Sequence, residues 1–342
     1  MEIWMDATSV RDARFVSAVY EGLKDKFNFF VTCQRHRELS AIFKFYDVKY
    51  KSAGKIESYS MEGRLDSYWR RIQALTRCMM RLRRKPELLI SFPSEACTIS
   101  YMLDIPFVVL TDNSAHPIVL KSIIPLSDKI LVPLAIGRNR LIQYGASPEN
   151  IRYFRGVFEA TWVKRHRYSA DILRKLDVRG GEYAVFRPTA VQNLDSTALH
   201  VLERITSYWS GGIIAIVRSK SQRKEIKKLY ADRVKIINFN HDVLSLLKAA
   251  AFVVSGGFLM AREASLMGVP SILYSKPSDV ERFLIERGFP LYTVKDRGEV
   301  SNWIVNVAKD PERYKINTSN LLEEFEDPIE ILIDEIAVHR QF

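Results

Sequence analysis

The chain has 342 residues, of which 47% are hydrophobic and 27% charged, and its formal net charge is +11. Its length suits two hydrophobic cores better than one, and the basic excess predicts an anionic partner. No apolar run approaches the roughly 18–20 residues that a membrane-spanning helix needs, and Glu2 lies where a secretion signal would be basic. We therefore expect a cytoplasmic protein.

The sequence offers no pattern typical of a metal site. Its three cysteines, Cys33, Cys78 and Cys97, form no CxxC pair and no zinc spacing. No two aspartates lie two positions apart, so the Asp-x-Asp clamp for a metal-bound nucleotide is missing. We expect neither a metal nor a cofactor, and a nucleotide would be bound as a substrate.

Short apolar runs alternate with amphipathic stretches in the first half of the chain. The runs are rich in Val, Ile and Phe, as buried parallel strands are. They predict strands at residues 3–6, 27–33, 48–51, 88–92, 107–111, 130–132 and 151–154. The stretches between them predict helices at 12–24, 36–46, 64–84, 94–103 and 137–144.

The same alternation restarts after a polar stretch that ends at Gly180 and Gly181. It predicts strands at residues 183–187, 213–218, 234–239, 252–255, 271–274 and 291–294, and helices at 195–209, 221–231, 241–250, 259–268, 278–288 and 298–309. Regular strand–helix alternation implies parallel sheets with right-handed crossovers. The predicted fold is α/β, with two Rossmann-like, doubly wound domains at 1–160 and 161–317. A closing helix is predicted at 318–342, where it could pack back on the first domain.

Residues 251–270 carry the most chemical information. A buried strand runs into Ser255, Gly256 and Gly257, and a helix follows directly. Glycine lets a ligand approach the backbone, and the free amides at a helix N-terminus attract a diphosphate without a metal. Glu263, two turns into this helix, can accept hydrogen bonds from two ribose hydroxyls. The alternative is a tight packing turn, with Glu263 paired to an arginine.

The run Ser-Gly-Gly…Glu-Ala-x-x-x-Gly-x-Pro at 255–270 resembles the donor-site signature of GT-B glycosyltransferases. It is similar to the transferase that makes the lipid-linked precursor of peptidoglycan and, more loosely, to the non-hydrolysing UDP-N-acetylglucosamine 2-epimerases. Further pieces occur in the order found in an uncharacterised, largely archaeal family of predicted GT-B proteins, which the chain also resembles. These pieces lie at residues 3–6, 111–116, 156–159, 186–188 and 279–284.

The resemblance implies two domains that face a cleft, with the nucleotide sugar held by the second. By position, the glycine pair would face the diphosphate, Glu263 the ribose and Phe239 the base. Arg187 and Arg218 end two predicted strands and could neutralise phosphate charge. Each arginine could instead be a surface residue at a strand end.

The resemblance also implies that the base for the acceptor's proton comes from the first domain. The candidates lie at strand ends or near the domain boundary: Asp6, Asp112, His116 and Glu159. Structural alternatives remain for three of them. Asp6 could cap the next helix, Asp112 could belong to a turn, and His116 could bond to the backbone.

Two departures from the family pattern leave the reaction open. The family's first loop usually carries histidines, but residues 7–14 contain none, and Phe258 and Leu259 replace a small residue followed by Thr. The expected function is a metal-independent glycosyltransferase that moves a hexosyl or N-acetylhexosaminyl group from a nucleotide sugar, preferably UDP-linked, to a glycan or lipid-linked acceptor. The alternatives are a non-hydrolysing sugar-nucleotide 2-epimerase and a catalytically degenerate binding protein.

Residues 64–85 hold eight basic residues and one acid. Apolar side chains fall on one helical stripe: Leu65, Trp69, Ile72, Leu75, Met79 and Leu82. Arginines line the flank of this stripe: Arg70, Arg77, Arg81 and Arg84. The stripe could face the core and leave a solvated basic back. Alternatively, the segment could approach anionic lipid head groups at the inner face of the membrane, or a phosphate-bearing acceptor. Nucleic acid is not expected, since only the charge favours it.

Overall fold

The computed structural model describes residues 1–55, 61–112, 117–137, 139–189, 193–238, 242–294 and 296–339. The chain divides into two compact units. Unit 1 comprises Met1–Trp162 and Phe325–Phe342, and unit 2 comprises Val163–Glu324.

Unit 1 is built around a parallel sheet. Its strands are β1 (Glu2–Ala7), β2 (Asn28–Cys33), β3 (Lys51–Ser52), β4 (Leu88–Ser91), β5 (Phe107–Leu110), β6 (Lys129–Pro133) and β7 (Ile151–Phe154). They lie in the order β3-β2-β1-β4-β5-β6-β7, and all their pairings are parallel. The order reverses between β1 and β4, which is the switch point where ligands bind in open α/β sheets.

Helices connect these strands. They are α1 (Val10–Leu23), α2 (Arg37–Phe45), α3 (Met61–Met80), α4 (Glu95–Met102), α5 (Pro117–Ile123), α6 (Asn139–Ile142) and α7 (Phe158–Val163). Ser9 and Asp12 form a capping box at the start of α1, which satisfies amides that would otherwise lack partners. The loop after β1 is thereby held in place at the switch point.

Unit 2 repeats this architecture with six strands. They are β8 (Tyr183–Arg187), β9 (Gly212–Val217), β10 (Lys235–Asn238), β11 (Phe252–Ser255), β12 (Ser271–Leu273) and β13 (Leu291–Thr293). Their order is β10-β9-β8-β11-β12-β13, again with parallel pairings throughout. The two parallel sheets confirm the predicted α/β, Rossmann-like fold class.

Helices cover both faces of the second sheet. They are α8 (Asp171–Leu176), α9 (Ser196–Tyr208), α10 (Lys220–Tyr230), α11 (Val243–Lys248), α12 (Phe258–Leu266), α13 (Asp279–Glu286), α14 (Arg297–Lys309) and α15 (Ser319–Glu323). Successive residues of a strand point to opposite faces, so Phe186 packs with α9 and α14, while Val185 packs with α8, α11 and α12. Buried apolar side chains on both faces hold the sheet between two helical layers.

The C-terminal stretch consists of two helices. After α15 in unit 2, α16 (Pro328–His339) belongs to unit 1. Pro328 lacks an amide hydrogen and is favoured at the start of a helix, which explains why α16 begins there. Phe325 packs against Gly156. The φ of Gly156 is +144°, which side chains disfavour, and a Cβ added there would lie 3.1 Å from Phe325 Cβ.

Of the alternatives for residues 64–85, the core-facing stripe does not hold at its N-terminal end. Leu65 and Trp69 are 60% and 57% exposed, whereas Leu75 and Met79 are buried. In this part of α3, Ser67 and Arg71 face inward instead. The helix is oriented by a buried charged contact at Arg71 that apolar periodicity does not reveal.

Candidate functional site

A buried ion pair joins the carboxyl end of β1 to α3. Asp6, the penultimate residue of β1, lies with its carboxylate against Arg71 of α3, and Arg71 Nη2 is 2.6 Å from both carboxylate oxygens. The hydroxyls of Thr32 and Ser94 also donate to Asp6, over 2.6 and 2.8 Å. Asp6 is 2% exposed. Its partners therefore occupy both oxygens, and Asp6 serves to hold Arg71.

Arg71 uses its remaining nitrogens on two further acceptors. Nη1 donates to the carbonyl of Ala53 over 3.0 Å, and Nε donates to Oε2 of Glu95 over 2.9 Å. Gly54 makes room for the arginine, because a Cβ there would lie 2.9 Å from Arg71 Cβ. The guanidinium thus fixes the position of Glu95, the first residue of α4.

Glu95 differs from Asp6 because its side chain reaches solvent. It lines a cavity of about 370 Å³ that is formed within unit 1 by residues after β1, β2 and β4 and by α3, α4 and α5. Burial raises the pKa of Glu95, and the positive charge of Arg71 opposes that rise. A carboxyl group that lines a cavity, with a cation on one side and room for a ligand on the other, can accept or donate a proton there.

The cysteines near this site are not nucleophiles. Burial raises the pKa of Cys33 to about 12, with a further rise from Asp6, and burial also raises the pKa of Cys97 to about 12. Thiolate is the reactive form of cysteine. Neither side chain therefore supplies one at neutral pH.

Asp112 is held by an arginine in the first turn of α1. Arg11 Nη1 donates to Asp112 Oδ1 over 2.5 Å, and its guanidinium lies 3.8 Å from the centre of the Phe92 ring. Asp112 is buried. The segment 7–14, which lacks the family's histidines, thus places an arginine beside one of the four candidate bases.

The other two candidate bases are Glu159 and His116. Glu159 is the second residue of α7 and is buried. His116 lies outside the described residues. The structure thus brings Asp6 to the switch point and Asp112 to the neighbouring strand end, and the choice of catalytic base among the four stays a prediction.

In unit 2, the strand ends of β8, β11 and β12 converge on Gly256. The Gly256 amide donates to the carbonyl of Arg187 over 2.8 Å, and its carbonyl accepts from the Ser275 hydroxyl over 2.6 Å. A Cβ on Gly256 would lie 2.6 Å from both Thr189 Cγ2 and the Tyr274 hydroxyl oxygen. Protein packing alone therefore requires glycine at this position.

Gly257 has no such packing requirement. Its φ of −116° is open to any residue, and a Cβ there would meet only Ser255 Oγ, at 4.0 Å. Gly257 is the N-cap of α12 and, as it has no side chain, it offers the helix no side-chain cap. Ser255 Oγ accepts from the Gly257 amide over 3.1 Å. The cap thus leaves the amides of Phe258 and Leu259 uncapped by a side chain.

Glu263 is placed differently from the two glycines. It is 0% exposed, within α12. Contact between its carboxylate and a ribose therefore requires that covering atoms move. The neighbouring Arg262 pairs with Glu281 of α13, and Glu281 in turn accepts from the Ser278 amide over 2.7 Å. This buried pair links α12 to α13.

The two predicted arginines end neighbouring strands but differ in exposure. Arg187 is buried, and its Nη1 donates to the carbonyl of Ile216 over 2.8 Å. Arg218 is exposed directly after β9. Phe239, the predicted neighbour of the base, lies outside the described residues.

A second cavity, of about 490 Å³, lies on the β12–β13 side of this edge of unit 2. Tyr274, which packs against Gly256, belongs to its wall, together with Lys276 and Arg297. Burial raises the pKa of the Tyr274 hydroxyl above its ordinary value. The tyrosine thus remains neutral and serves as packing between Gly256 and this cavity.

Sequence reasoning missed Arg71 and Glu95. Arg71 lies in a segment with seven other basic residues, and no one-dimensional pattern separates it from them. Glu95 carries a weaker signal, since it follows a buried strand and a serine that caps the next helix. That position at the switch point was sufficient reason to include it among the candidate acids.

Within the residues that the structure describes, no group of three or more His, Cys, Asp or Glu side chains could hold a metal ion. Over those same ranges, no helix combines the length and the apolar character needed to cross a membrane.

Comparison with known proteins identifies relatives over the full length. A model of the family described as "Protein of unknown function (DUF354)" matches residues 1–340. The uncharacterised protein MJ0665 of Methanocaldococcus jannaschii is 24% identical, and the match covers 98% of each chain.

Solved structures share the fold at low identity. A co-structure of S. aureus MnaA with UDP has a TM-score of 0.75 and 13% identity, and covers 99% of this chain and 97% of its own. The M. jannaschii UDP-GlcNAc 2-epimerase, in complex with UDP-GlcNAc and UDP, has a TM-score of 0.74 and 13% identity, over 99% and 100%. Anabaena Alr3699/HepE, in complex with UDP and glucose, has a TM-score of 0.63 and 15% identity, over 100% and 99%. The expected GT-B fold class is confirmed.

Proposed function

The chain belongs to the family of proteins of unknown function DUF354, and from that premise we propose that it is a metal-independent glycosyltransferase of the GT-B fold class. The donor is a UDP-linked sugar, and the group transferred is hexosyl or N-acetylhexosaminyl. The acceptor is a glycan or a lipid-linked molecule. The donor's diphosphate binds at the first turn of α12.

Gly257 is the observation that carries this proposal. Glycine in an ordered segment lowers stability, so its presence calls for a reason. Neither the backbone conformation nor the packing at residue 257 requires glycine. The remaining reason for glycine at this position is that a ligand approaches the backbone closely. A diphosphate fits, because the uncapped amides and the helix dipole of α12 both favour negative charge.

The other helices of unit 2 differ in how they begin, and α8, α11 and α15 also lack a side-chain cap. Four of them begin with a residue whose side chain accepts a hydrogen bond from the first turn: Asp195, Ser219, Ser278 and Asp296. The α12 helix begins with glycine instead. Arg218, exposed at the end of β9, provides a cation for a phosphate group on the same edge of the sheet.

The choice of UDP draws on proteins of the same fold. The similar structures from S. aureus and Anabaena are described with UDP, and the latter also with glucose. Phe239 retains its proposed role at the base, and Glu263 its role at the ribose, which requires that the atoms covering its carboxylate move.

Incubation with UDP- and GDP-linked sugars in the presence of EDTA tests the function. We expect release of UDP from a UDP-sugar, slowly to water and faster with an acceptor, at the same rate with and without the chelator. If no nucleotide sugar is consumed and none raises the melting temperature, the proposal is wrong. Binding without turnover would instead identify a degenerate binding protein.

A sugar-nucleotide 2-epimerase is the second candidate. It is favoured by the full-length similarity to the M. jannaschii UDP-GlcNAc 2-epimerase. Proton NMR of the products separates the two reactions, because epimerisation inverts the configuration at C2 of the nucleotide sugar and transfer releases the nucleotide. We expect release.

The exposed side of α3 supports a membrane-bound acceptor. Leu65, Trp69 and Met80 are exposed along one side of the helix. Arg70 and Arg77 are exposed on the adjacent side of the helix, and Arg81 and Arg84 are exposed just after its end. Apolar side chains next to a basic stripe are typical of helices that lie on anionic lipid. We propose that this surface, the α3 face, binds the acceptor's membrane.

Replacing Leu65 and Trp69 with serine is expected to lower binding to phosphatidylglycerol vesicles at least tenfold. Each large side chain contributes about 1.5–3 kcal/mol when it leaves water. Co-sedimentation with vesicles measures the effect, and Leu229→Ser, an exposed leucine of unit 2, is the control. Equal binding by the double variant and the control contradicts the role of the α3 face.

A further inference from the structure

The cavity beside Glu95 has a lining suited to a neutral ligand. Six of its side chains carry hydroxyls, contributed by α3, α4, α5 and the loops after β1 and β4: Thr8, Ser67, Tyr68, Ser94, Thr98 and Ser122. Four of these hydroxyls already donate their one proton within the protein: Thr8 to Asp12, Ser67 to the Gly63 carbonyl, Ser94 to Asp6 and Ser122 to the Val119 carbonyl. Their oxygens can still accept a hydrogen bond, and the amide of Gln34, which also lines the cavity, can both donate and accept. Such groups match the hydroxyls of a sugar.

The charges around the cavity exclude a phosphate group. Among the described residues that line it, none carries a positive charge, and the one ionisable acid is Glu95. Arg71 lies behind Glu95 and is 0% exposed. Its nitrogens already bond to Asp6, Glu95 and Ala53. An anion in the cavity would therefore meet a carboxyl group and no available cation.

The size and the apolar wall fit a ring. The cavity volume of about 370 Å³ falls within the range of about 300–1,000 Å³ seen for small-molecule sites. Pro93, Val119 and Ile123 add apolar surface for the carbon face of the ring. Polar groups that fix orientation, set in an apolar wall, are the usual composition of a ligand site.

The buried charges behind the cavity make Glu95 a proton acceptor. Arg71 carries one positive charge, and Asp6 and Glu95 can each carry a negative one, so the trio is neutral when one carboxyl holds a proton. Asp6 is closed off by four hydrogen bonds. Glu95 accepts one from Arg71 through Oε2, and it is the acid of the pair that lines the cavity.

We propose that the Glu95 cavity binds a neutral pyranose, and that Glu95 is the base that accepts a proton from one of the ring's hydroxyls. The catalytic half of this proposal rests on the proposed function. Glu95 takes the hydroxyl proton, and the hydroxyl oxygen forms a bond to the anomeric carbon of the donor. The bond from that carbon to the diphosphate breaks, and its electron pair leaves with UDP. Arg71 and Asp6 are positioning residues for Glu95.

The binding half can be tested by NMR of the full chain labelled at methyl groups. Addition of N-acetylglucosamine, glucose or mannose is expected to shift the methyl signals of Thr98, Val119 and Ile123. N-acetylglucosamine 6-phosphate, the same ring with an anion, is expected to bind at least tenfold more weakly. If none of the three sugars shifts these signals at concentrations in the tens of millimolar, or if the phosphate binds better, the cavity is not a neutral sugar site.

The same sample separates this proposal from the proposed function. UDP is expected to shift the Met260 methyl of α12 and to leave the cavity signals unchanged. Shifts from sugar but none from UDP would retain the cavity and overturn the proposed function. Shifts from UDP but none from any sugar would do the reverse.

The catalytic half is tested with Glu95→Gln, which keeps the size of the side chain and an acceptor for Arg71. Sugar binding is expected to persist, while transfer falls about 10²–10⁴-fold. Glu87→Gln, an exposed acid of the same unit, is the matched control and should transfer at the wild-type rate. Wild-type transfer by Glu95→Gln overturns the role as base. If the wild-type protein shows no transfer activity, both the role of Glu95 as base and the proposed function are wrong.

Discussion

Replacing Arg71 with methionine is expected to lower the free energy of unfolding of unit 1 by about 3–5 kcal/mol, because two acidic side chains then lose the buried cation they share. Arg71 is 0% exposed and contacts Asp6, Glu95 and the Ala53 carbonyl. Methionine fills a similar volume. The loss of stability therefore measures the removal of the charge and not the creation of a cavity.

The adjacent Arg70 provides a matched control. It is also a helical arginine paired with an acid, Asp66, over 2.8 Å, but both side chains are more than half exposed. Surface pairs of this kind contribute roughly 0–1 kcal/mol. Urea unfolding followed by circular dichroism compares Arg71→Met with Arg70→Met. Equal midpoints for the two variants would mean that the buried pair does not hold unit 1 together.

Replacing Gly257 with alanine is expected to weaken UDP binding about 10–100-fold, a loss of about 1.4–2.7 kcal/mol, and to change stability little. The added methyl meets no protein atom nearer than 4.0 Å, so the protein tolerates it. The same methyl occupies space that the proposed diphosphate needs. Isothermal titration with UDP measures the affinity.

Gly256→Ala is expected to behave in the opposite way. Its methyl would lie 2.6 Å from Thr189 and Tyr274, and overpacking of this kind costs about 1–3 kcal/mol of stability. The two variants therefore distinguish a glycine that ligand binding requires, Gly257, from a glycine that protein packing requires, Gly256. If Gly257→Ala binds UDP as the wild type does, the ligand requirement at Gly257 is wrong.

Both sheets could be predicted from the sequence because buried parallel strands leave a strong local signal. The runs 252–254 and 183–186 are continuous and lack charged residues, and both lie in central strands of unit 2. The start of α12 was likewise predictable, since a strand, two glycines and a helical pattern follow one another directly. These features depend on neighbours in sequence.

The interior of unit 1 was less predictable because it depends on residues far apart in sequence. Arg71 meets Asp6 across 65 positions, and Leu65 and Trp69 of the same helix face outward. Apolar periodicity, which assumes that only apolar side chains seek the core, predicts the wrong side of the helix there. Glu95 was missed for the same reason, since its partner lies 24 positions away.

A crystal structure of the protein with UDP tests the central claim most directly. We expect oxygens of the diphosphate within about 2.7–3.2 Å of the amide nitrogens of Phe258 and Leu259, with the phosphates over Gly257. UDP bound at another place, with these amides bonded to protein atoms instead, would contradict the account.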